Sequence, residues 1–168
     1  MSESYDIGRP GRFTVGAIGE PGARTFYFQA FATDGEVSLK CEKEQAAALA
    51  THLVKLLDDL PGGELTPLDD VVPAEALPPA ALAWPVGSIS IGVDRDAGLV
   101  LVVFEEMVLP DDEDEPEVEP ATARLLLTPD QVQGFAAQVD VLVQASRPLC
   151  RLCEHPIDPS GHACPRLN

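Results

Sequence analysis

The chain has 168 residues, of which 45% are hydrophobic and 23% charged, and its formal net charge is −17 at pH 7. These values are typical of one globular domain with, at most, a small appendage. Phosphate groups repel so acidic a protein, which argues against nucleic acid or an anionic membrane surface as a partner. No run approaches the roughly 20 apolar residues that span a bilayer. The N-terminal residues also lack the apolar stretch of a signal peptide, so we expect a cytoplasmic protein.

The first half of the chain, residues 12–60, predicts three strands followed by a helix. The strands are R-F-T-V-G-A-I-G, R-T-F-Y-F-Q-A-F-A and E-V-S-L-K-C-E, and Asp34-Gly35 is a hairpin signal between the last two. Leucines then repeat at helical spacing up to Leu60, and Pro61-Gly62-Gly63 would end that helix. Residues 61–85 are rich in proline, alanine and acidic residues, and we expect a connector with one short helical turn.

The second half, residues 86–147, predicts the same order of elements. V-G-S-I-S-I-G-V begins it, and L-V-L-V-V-F-E-E-M-V is apolar on both faces, as in a central strand. The acidic, proline-rich run at 111–119 is typical of an exposed loop. After the strand A-T-A-R-L-L-L, Thr128 is the expected N-cap of a second helix with Pro129 at its first position.

The two halves resemble each other in pattern. Moving Leu39 onto Leu125 also moves Gln45 onto Gln131, and we therefore predict an internal duplication of 12–60 and 86–147. Neither half alone buries its helix, so residues 1–147 are expected to form one domain. The predicted class is α+β, with a mainly antiparallel sheet of about six strands and both helices on one face.

Residues 148–168 contain a cluster of metal-binding residue types. The spacing is Cys150-x2-Cys153-x8-His162-x-Cys164. A C-x2-C pair directs two thiolates at one ion, and a histidine and a cysteine two positions apart can complete a tetrahedron. Pro159-Ser160-Gly161 would reverse the chain between the two pairs. The tail is thus predicted to be a zinc knuckle with one structural zinc ion.

Other interpretations of this tail stay open at the level of sequence. His155 could replace His162 as the fourth ligand. A catalytic deaminase zinc would need H-x-E upstream, where the chain has His52-Leu53-Val54. Redox chemistry at Cys150 and Cys153 is a further alternative, although a thioredoxin-like pair opens a helix instead of following one.

The glycine-rich opening is the second candidate site. Gly19 and Gly22 follow a strand and are typical of a hairpin, and neither phosphate-loop motif is present. Arg9, Arg12 and Arg24 nevertheless stand out in so acidic a chain. Three guanidinium groups around exposed backbone amides could bind an anion, such as a phosphorylated small molecule or an acidic partner segment.

Three further side chains are assigned structural roles. Cys41 is expected to be buried as a small hydrophobe. His52 is expected at the surface of the first helix, and Trp84 is expected to pack the connector onto the sheet.

The opening R-F-T-V-G-A-I-G-E-P-G-A-R-T-F-Y-F-Q-A, the segment E-K-E-Q-A-A-A-L-A and the ending L-C-R-L-C-E-H-P-I-D-P-S-G-H-A-C-P-R-L-N resemble signatures of an uncharacterised, mostly actinobacterial family, a domain of unknown function. The resemblance covers essentially the whole chain. Its members usually have a small residue where this chain has His155, which implies the metal set Cys150, Cys153, His162 and Cys164. They tend to be encoded near kinase-like and phosphatase-like proteins.

The function expected from the sequence is protein interaction. A complete ligand set leaves no open metal position, and no catalytic constellation is recognisable, so we expect a zinc-stabilised, non-enzymatic adaptor or regulatory protein. Its partner proteins would bind through the open face of the sheet or the tail. The alternative is a protein that binds phosphate-containing small molecules through the arginine- and glycine-rich opening.

Overall fold

The computed structural model describes residues 2–20, 22–61, 65–109, 116–145, 150–155, 157 and 161–167. Its elements are, in chain order, β1 (Tyr5–Gly8), β2 (Arg12–Ile18), β3 (Thr25–Ala32), β4 (Gly35–Cys41), α1 (Lys43–Leu57), a 3-10 turn (Leu68–Asp70), β5 (Val86–Asp94), β6 (Leu99–Glu106), β7 (Thr122–Leu127) and α2 (Pro129–Ala145). The predicted α+β class is confirmed. Among the described residues, no helix is long and apolar enough to cross a membrane.

The strands form two sheets, which corrects the single sheet of about six strands predicted from the sequence. One sheet has the order β1-β7-β6-β5 and the other β2-β3-β4. All neighbours are antiparallel except β1 and β7, which are parallel. Alternating hydrophobicity shows which side of a strand is buried but not which strand lies beside it, so the pattern could not distinguish one sheet from two. β1 is too short to carry a recognisable pattern and was missed.

The two sheets are connected by the segments that precede β2 and β5. β1 precedes β2 and pairs in parallel with β7. Similarly, residues 83–85 precede β5 and pair with β4: Ala83 N donates to Ser38 O at 2.9 Å, and Lys40 N donates to Trp84 O at 3.1 Å. Each half therefore pairs its last strand with the chain entering the other half.

Both helices begin with the same hydrogen bond. The Gln45 side-chain oxygen accepts from the Glu42 amide at 2.8 Å, and the Gln131 oxygen accepts from the Thr128 amide at 3.1 Å. The Thr128 hydroxyl also accepts from the Gln131 amide, as expected of an N-cap. In each case the glutamine satisfies a donor that the first helical turn leaves unpaired.

The same two glutamines join the halves. Gln45 Nε2 donates to Val86 O, where β5 begins, at 2.9 Å. Gln131 Nε2 donates to Pro10 O, just before β2, at 2.8 Å. Each helix thus holds the first strand of the other half, and the halves interlock. The duplication itself stays a prediction.

One hydrophobic core lies between the sheets and the helices. Phe13, Phe28, Phe104 and Phe135 come from β2, β3, β6 and α2 and are each at most 1% exposed. The Phe13 and Phe135 ring centroids are 4.8 Å apart, and those of Phe28 and Phe104 are 4.7 Å apart. Because these rings come from both halves, neither half could keep its core without the other.

The connector covers the outer face of the β2-β3-β4 sheet, which corrects the prediction of an open face there. Buried Gln29 accepts from Leu77 N at 2.9 Å and donates to Leu77 O at 3.0 Å. Tyr27 Oη donates to the same carbonyl at 2.7 Å. The described backbone of the connector therefore provides hydrogen-bond partners for Tyr27 and Gln29 on this face.

Several smaller predictions are also resolved. α1 ends at Leu57, before the predicted Leu60. Trp84 is buried as expected, and its indole donates to Glu3 O at 2.9 Å. The connector contains one short helical turn, as predicted. Of the acidic run at 111–119, residues 116–119 are exposed and 111–115 lie outside the described residues.

Candidate metal centre

Four soft donor atoms meet in the C-terminal tail. The ligand atoms of Cys150, Cys153, His162 and Cys164 all lie within 4.8 Å of one another. Cys150 Sγ is 3.7 Å from Cys164 Sγ, and Cys153 Sγ is 3.1 Å from His162 Nε2. Among the described residues this is the group of histidine, cysteine and acidic side chains that could hold a metal ion.

A tight backbone loop brings the first pair of cysteines together. Cys150 N donates to His155 O and Glu154 N donates to Cys150 O, both at 2.8 Å. Glu154 has a left-handed conformation, with φ of 59°, which turns the chain back immediately after Cys153. The reversal predicted at Pro159-Ser160-Gly161 falls largely outside the described residues, although Gly161 has the positive φ, 111°, that such a turn uses.

The loop also polarises the sulfur atoms. The backbone amides of Cys153 and Leu152 donate to the Cys150 sulfur and lower the pKa of Cys150 to about 6. The His155 amide acts in the same sense on Cys153, but burial and the neighbouring Cys150 and Cys164 sulfurs outweigh it, so the pKa of Cys153 is raised. The loop amides thus favour the thiolate form of Cys150, and a divalent cation would compensate for the charge of further thiolates.

The spacing of the donors fits a tetrahedral metal. With Zn–S bonds of about 2.3 Å, tetrahedral geometry places two sulfurs about 3.8 Å apart, close to the 3.7 Å between Cys150 and Cys164. The Cys153–His162 pair is somewhat closer than this geometry needs. Three thiolates and an imidazole are a donor set typical of zinc.

The two nearby histidines differ in position. His162 joins the three cysteines, whereas His155 directs Nδ1 at Cys153 O, at 2.8 Å. His155 is exposed and is not part of the cluster. The structure thus assembles the ligand set that the resemblance implied, and not the alternative set with His155.

A known protein family matches nearly the whole chain, including the tail. The family described as a protein of unknown function (DUF3090) matches residues 5–164, which include both sheets, both helices and all four cluster residues. The chain belongs to the DUF3090 family. Comparison with curated proteins and with solved structures gives no match.

In this DUF3090 protein, the five residues of the predicted anion site do not converge. Arg12 opens β2 opposite Phe31, whereas Arg24 precedes the pair Ile18–Thr25 at the other end of the hairpin. Six residues of strand separate these ends by about 20 Å. Arg9 is near the Arg12 end, and Gly19 and Gly22 are at the Arg24 end. Arg12 donates to Glu75 O of the connector, which is a structural role.

Arg24 keeps one unusual feature. It borders a cavity of about 230 Å³ that Gly22 and Lys43 also line, but Glu42 and Glu44 bring two carboxylates to the same cavity. Arg24 Nε is buried and has no hydrogen-bond partner within the described part of the chain.

A larger cavity, between α1 and β5, was not predicted from the sequence. Its volume is about 380 Å³, and it is lined by α1 and β5 side chains that include Leu49, Ile89 and Ile91. These residues have the ordinary apolar pattern of a helix and a strand, so no sequence motif could have revealed a cavity between them.

Proposed function

We propose that this DUF3090 protein is a zinc-stabilised, non-enzymatic interaction protein, an adaptor or regulator of other proteins. The observation that supports it is the meeting of three thiol groups and one imidazole within 4.8 Å in the tail. Four protein ligands complete the tetrahedral coordination of zinc, so no position is left for a substrate or a reactive water. The metal in this proposal organises the tail and takes part in no reaction.

The energetic reason for such a metal lies in the tail itself. The described residues of the tail include two buried cysteines, but Leu152 and Leu167 are 47% and 73% exposed. Hydrophobic burial therefore contributes little there, whereas a structural zinc contributes about 10–16 kcal/mol of apparent binding free energy. Because this apparent free energy already includes the cost of ordering the ligating segment, zinc binding can decide whether the tail is folded.

The proposal is tested by removing one ligand. Cys153→Ser should abolish zinc binding and expose the tail to limited proteolysis, while residues 5–145 keep their melting temperature. His155→Ala is the matched control and should behave as the wild type. A native mass spectrum of the protein from the cell that makes it should then show a zinc-loaded chain bound to another protein. A small molecule of a few hundred daltons in place of a protein partner would contradict the adaptor role.

One observation favours a second candidate, the binding of a phosphate-containing small molecule. The unpaired Arg24 Nε beside the cavity of about 230 Å³ offers a donor that an anionic oxygen could accept from. On this hypothesis, a phosphorylated ligand raises the melting temperature of the wild type by mass action. The same ligand leaves the melting temperature of Arg24→Ala unchanged. Because Glu42 and Glu44 line the same cavity and repel an anion, we rank this candidate below the first.

A further inference from the structure

The cavity between α1 and β5 is an open, largely apolar groove in the body of the protein. Its volume is about 380 Å³. The α1 side chains that line it are Gln45, Ala48, Leu49 and His52. The β5 residues that line it are Gly87, Ile89 and Ile91. Beyond Val86, β5 is the edge strand of its sheet, so the groove runs beside unpaired backbone.

The other half of the protein contains an equivalent groove. Gln45 and Gln131 make the same bonds at their helix N-termini and are 86 positions apart, while Val86 and Pro10, the carbonyls that they bind, are 76 positions apart. With these offsets, Ala48 of α1 corresponds to Gly134 of α2. On the strands, Ile89, Ser90 and Gly92 of β5 correspond to Phe13, Thr14 and Gly16 of β2.

Phe13 and Phe135 close the interior of the equivalent crevice between α2 and β2, and a segment of the connector covers its opening at the edge of β2. Ala74 of the connector donates its amide to Gly134 O at 3.1 Å, and the Thr14 hydroxyl donates to Ala74 O. The connector then passes so close to Gly16 that an added Cβ would be 2.7 Å from Ala76 Cβ. The occupant is extended, has small side chains and is anchored by one amide and one carbonyl.

At the groove between α1 and β5, no segment within the described ranges makes the corresponding contacts. The Ala48 carbonyl, equivalent to that of Gly134, accepts from His52 Nδ1 at 2.7 Å. Ser90, equivalent to Thr14, is exposed. A Cβ added to Gly92 would meet no atom within 4 Å, in contrast to Gly16. The Ala48 carbonyl beside the groove, and Ser90 and Gly92 on the other side of β5 from Ile89 and Ile91, therefore correspond to the groups and the clearance that the connector uses in the other half.

The tail, which follows α2 as the connector follows α1, cannot fill this groove in the same way. Fourteen residues separate Leu57 from Val72 in the connector, whereas only four separate Ala145 from Cys150. From Cys150 onward, the tail is folded into the metal cluster by its own backbone bonds. No other segment among the described residues bonds to the groove in this way, which favours a segment of another chain as its occupant.

We propose that the groove between α1 and β5 binds an extended segment of a partner protein, with small apolar side chains and proline, that crosses the edge of β5 from Ala48 to Ser90 and Gly92 on its other side. Its amide would donate to the Ala48 carbonyl, with the exposed His52 ring turning away, and its carbonyl would accept from Ser90. This is recognition of an extended peptide beside an edge strand and a helix. It rests on the proposed function, an interaction protein, and names the surface and the chemistry of the partner.

The test uses the full-length, zinc-loaded protein and a synthetic peptide with the sequence of residues 70–80, D-V-V-P-A-E-A-L-P-P-A, because this connector sequence covers the equivalent crevice. The chain has five isoleucines, of which Ile89 and Ile91 line the groove. Isoleucine methyl NMR should show saturable shifts of these two signals below about 1 mM peptide. Ile18, at the far end of the β2–β3 hairpin, should not shift.

Two variants locate the binding. Ala48→Trp fills the groove and should weaken peptide binding at least about tenfold. Gly92→Val should do the same by obstructing the path over β5, without strain, because its Cβ meets open space. Val54→Trp is the control, since Val54 is 37% exposed on α1 and does not line the groove. It should bind as the wild type.

Absence of shifts at Ile89 and Ile91, or equal binding by Ala48→Trp, would overturn the groove proposal. So would shifts confined to other isoleucines, which would mean that the peptide binds elsewhere. These results are distinct from failure of the proposed function. If the native mass spectrum shows that Ala48→Trp retains the cellular protein partner, the interaction role stands and the groove is wrong. If no protein partner is found for the wild type, the interaction role itself fails.

Discussion

At the scale of single residues, the candidate metal centre depends on which side chains place a ligand atom close to the other ligand atoms. His162 Nε2 lies 3.1 Å from Cys153 Sγ, whereas the His155 ring is held at Cys153 O. Two histidines only seven residues apart therefore lie in different surroundings, His162 beside the Cys153 sulfur and His155 beside the Cys153 carbonyl. The sequence offered both as ligands, and it was the backbone turn after Cys153 that separated them.

The histidine assignment predicts unequal effects of two substitutions. His162→Ala should weaken zinc binding by more than about a hundredfold. Loss of a residue that only hydrogen-bonds to a metal ligand already lowers metal affinity about 10–100-fold. His155→Ala should leave the affinity within about threefold. Competition with a chromogenic chelator measures both constants. Equal losses in the two variants would mean that the ligand set is wrong.

Thiol reactivity gives a second prediction at this scale. All four cysteines are free. Cys41 is 4% exposed, and burial raises the pKa of Cys41 to about 12, so it should not react in the folded protein. Alkylation counted by mass spectrometry should give no adducts with zinc, three after chelation and four after denaturation. Reaction of Cys41 in the folded, zinc-loaded protein would contradict its burial.

At the scale of elements, the connector is a structural component that the sequence did not reveal. Its residues have no strand or helix periodicity, yet their backbone bonds to Thr14 and Gln29 on the outer face of the β2-β3-β4 sheet. Three buried polar residues on one sheet face are a signal that something polar must cover it. The three residues can be recognised as neighbours on one face only when the strand pairing is known.

Gln29→Met tests this coverage. The change keeps the side-chain volume but leaves Leu77 N–H without its acceptor and Leu77 O without one donor, so we expect about 2–4 kcal/mol of destabilisation. Urea unfolding measures the loss, and limited proteolysis should cut the connector faster. Gln144→Met, at an exposed position near the end of α2, should change stability by less than about 0.5 kcal/mol. Equal stability of the two variants would refute the role given to Gln29.

The prediction of elements succeeded where the pattern is local and failed where partners are distant. Six of the seven strands and both helices follow from alternation, leucine spacing and the N-cap at Thr128. The cluster also follows from local spacing, because all four residues lie within fifteen positions. The structure does not bring the predicted arginines together, because a β-hairpin places Arg12 and Arg24 at opposite ends, which their closeness in sequence conceals.

At the scale of the whole molecule, the two halves are interlocked and share one core. The glutamine side chains of α1 and α2 each hold the other half, and Phe135 of the second half packs against Phe13 of the first. A fold built in this way should unfold as one unit, because neither half keeps its buried surface alone.

Phe135→Ala tests this cooperativity. Loss of a fully buried phenylalanine should cost about 3–5 kcal/mol. Fluorescence of Trp84 and far-UV circular dichroism should still give coincident unfolding curves, shifted together to lower urea. Val141→Ala, at a position 47% exposed on α2, is the control and should shift them little. Two separate transitions in Phe135→Ala would show that the halves are independent.

The most direct test of the account is the metal content of the tail. Protein purified without chelator should carry one zinc ion per chain in a native mass spectrum and lose it on denaturation, and Cys153→Ser should carry none. This result would establish the four-ligand centre on which the proposed function depends. A wild-type chain without metal whose tail still resists proteolysis, or a Cys153→Ser chain that keeps its zinc, would contradict it.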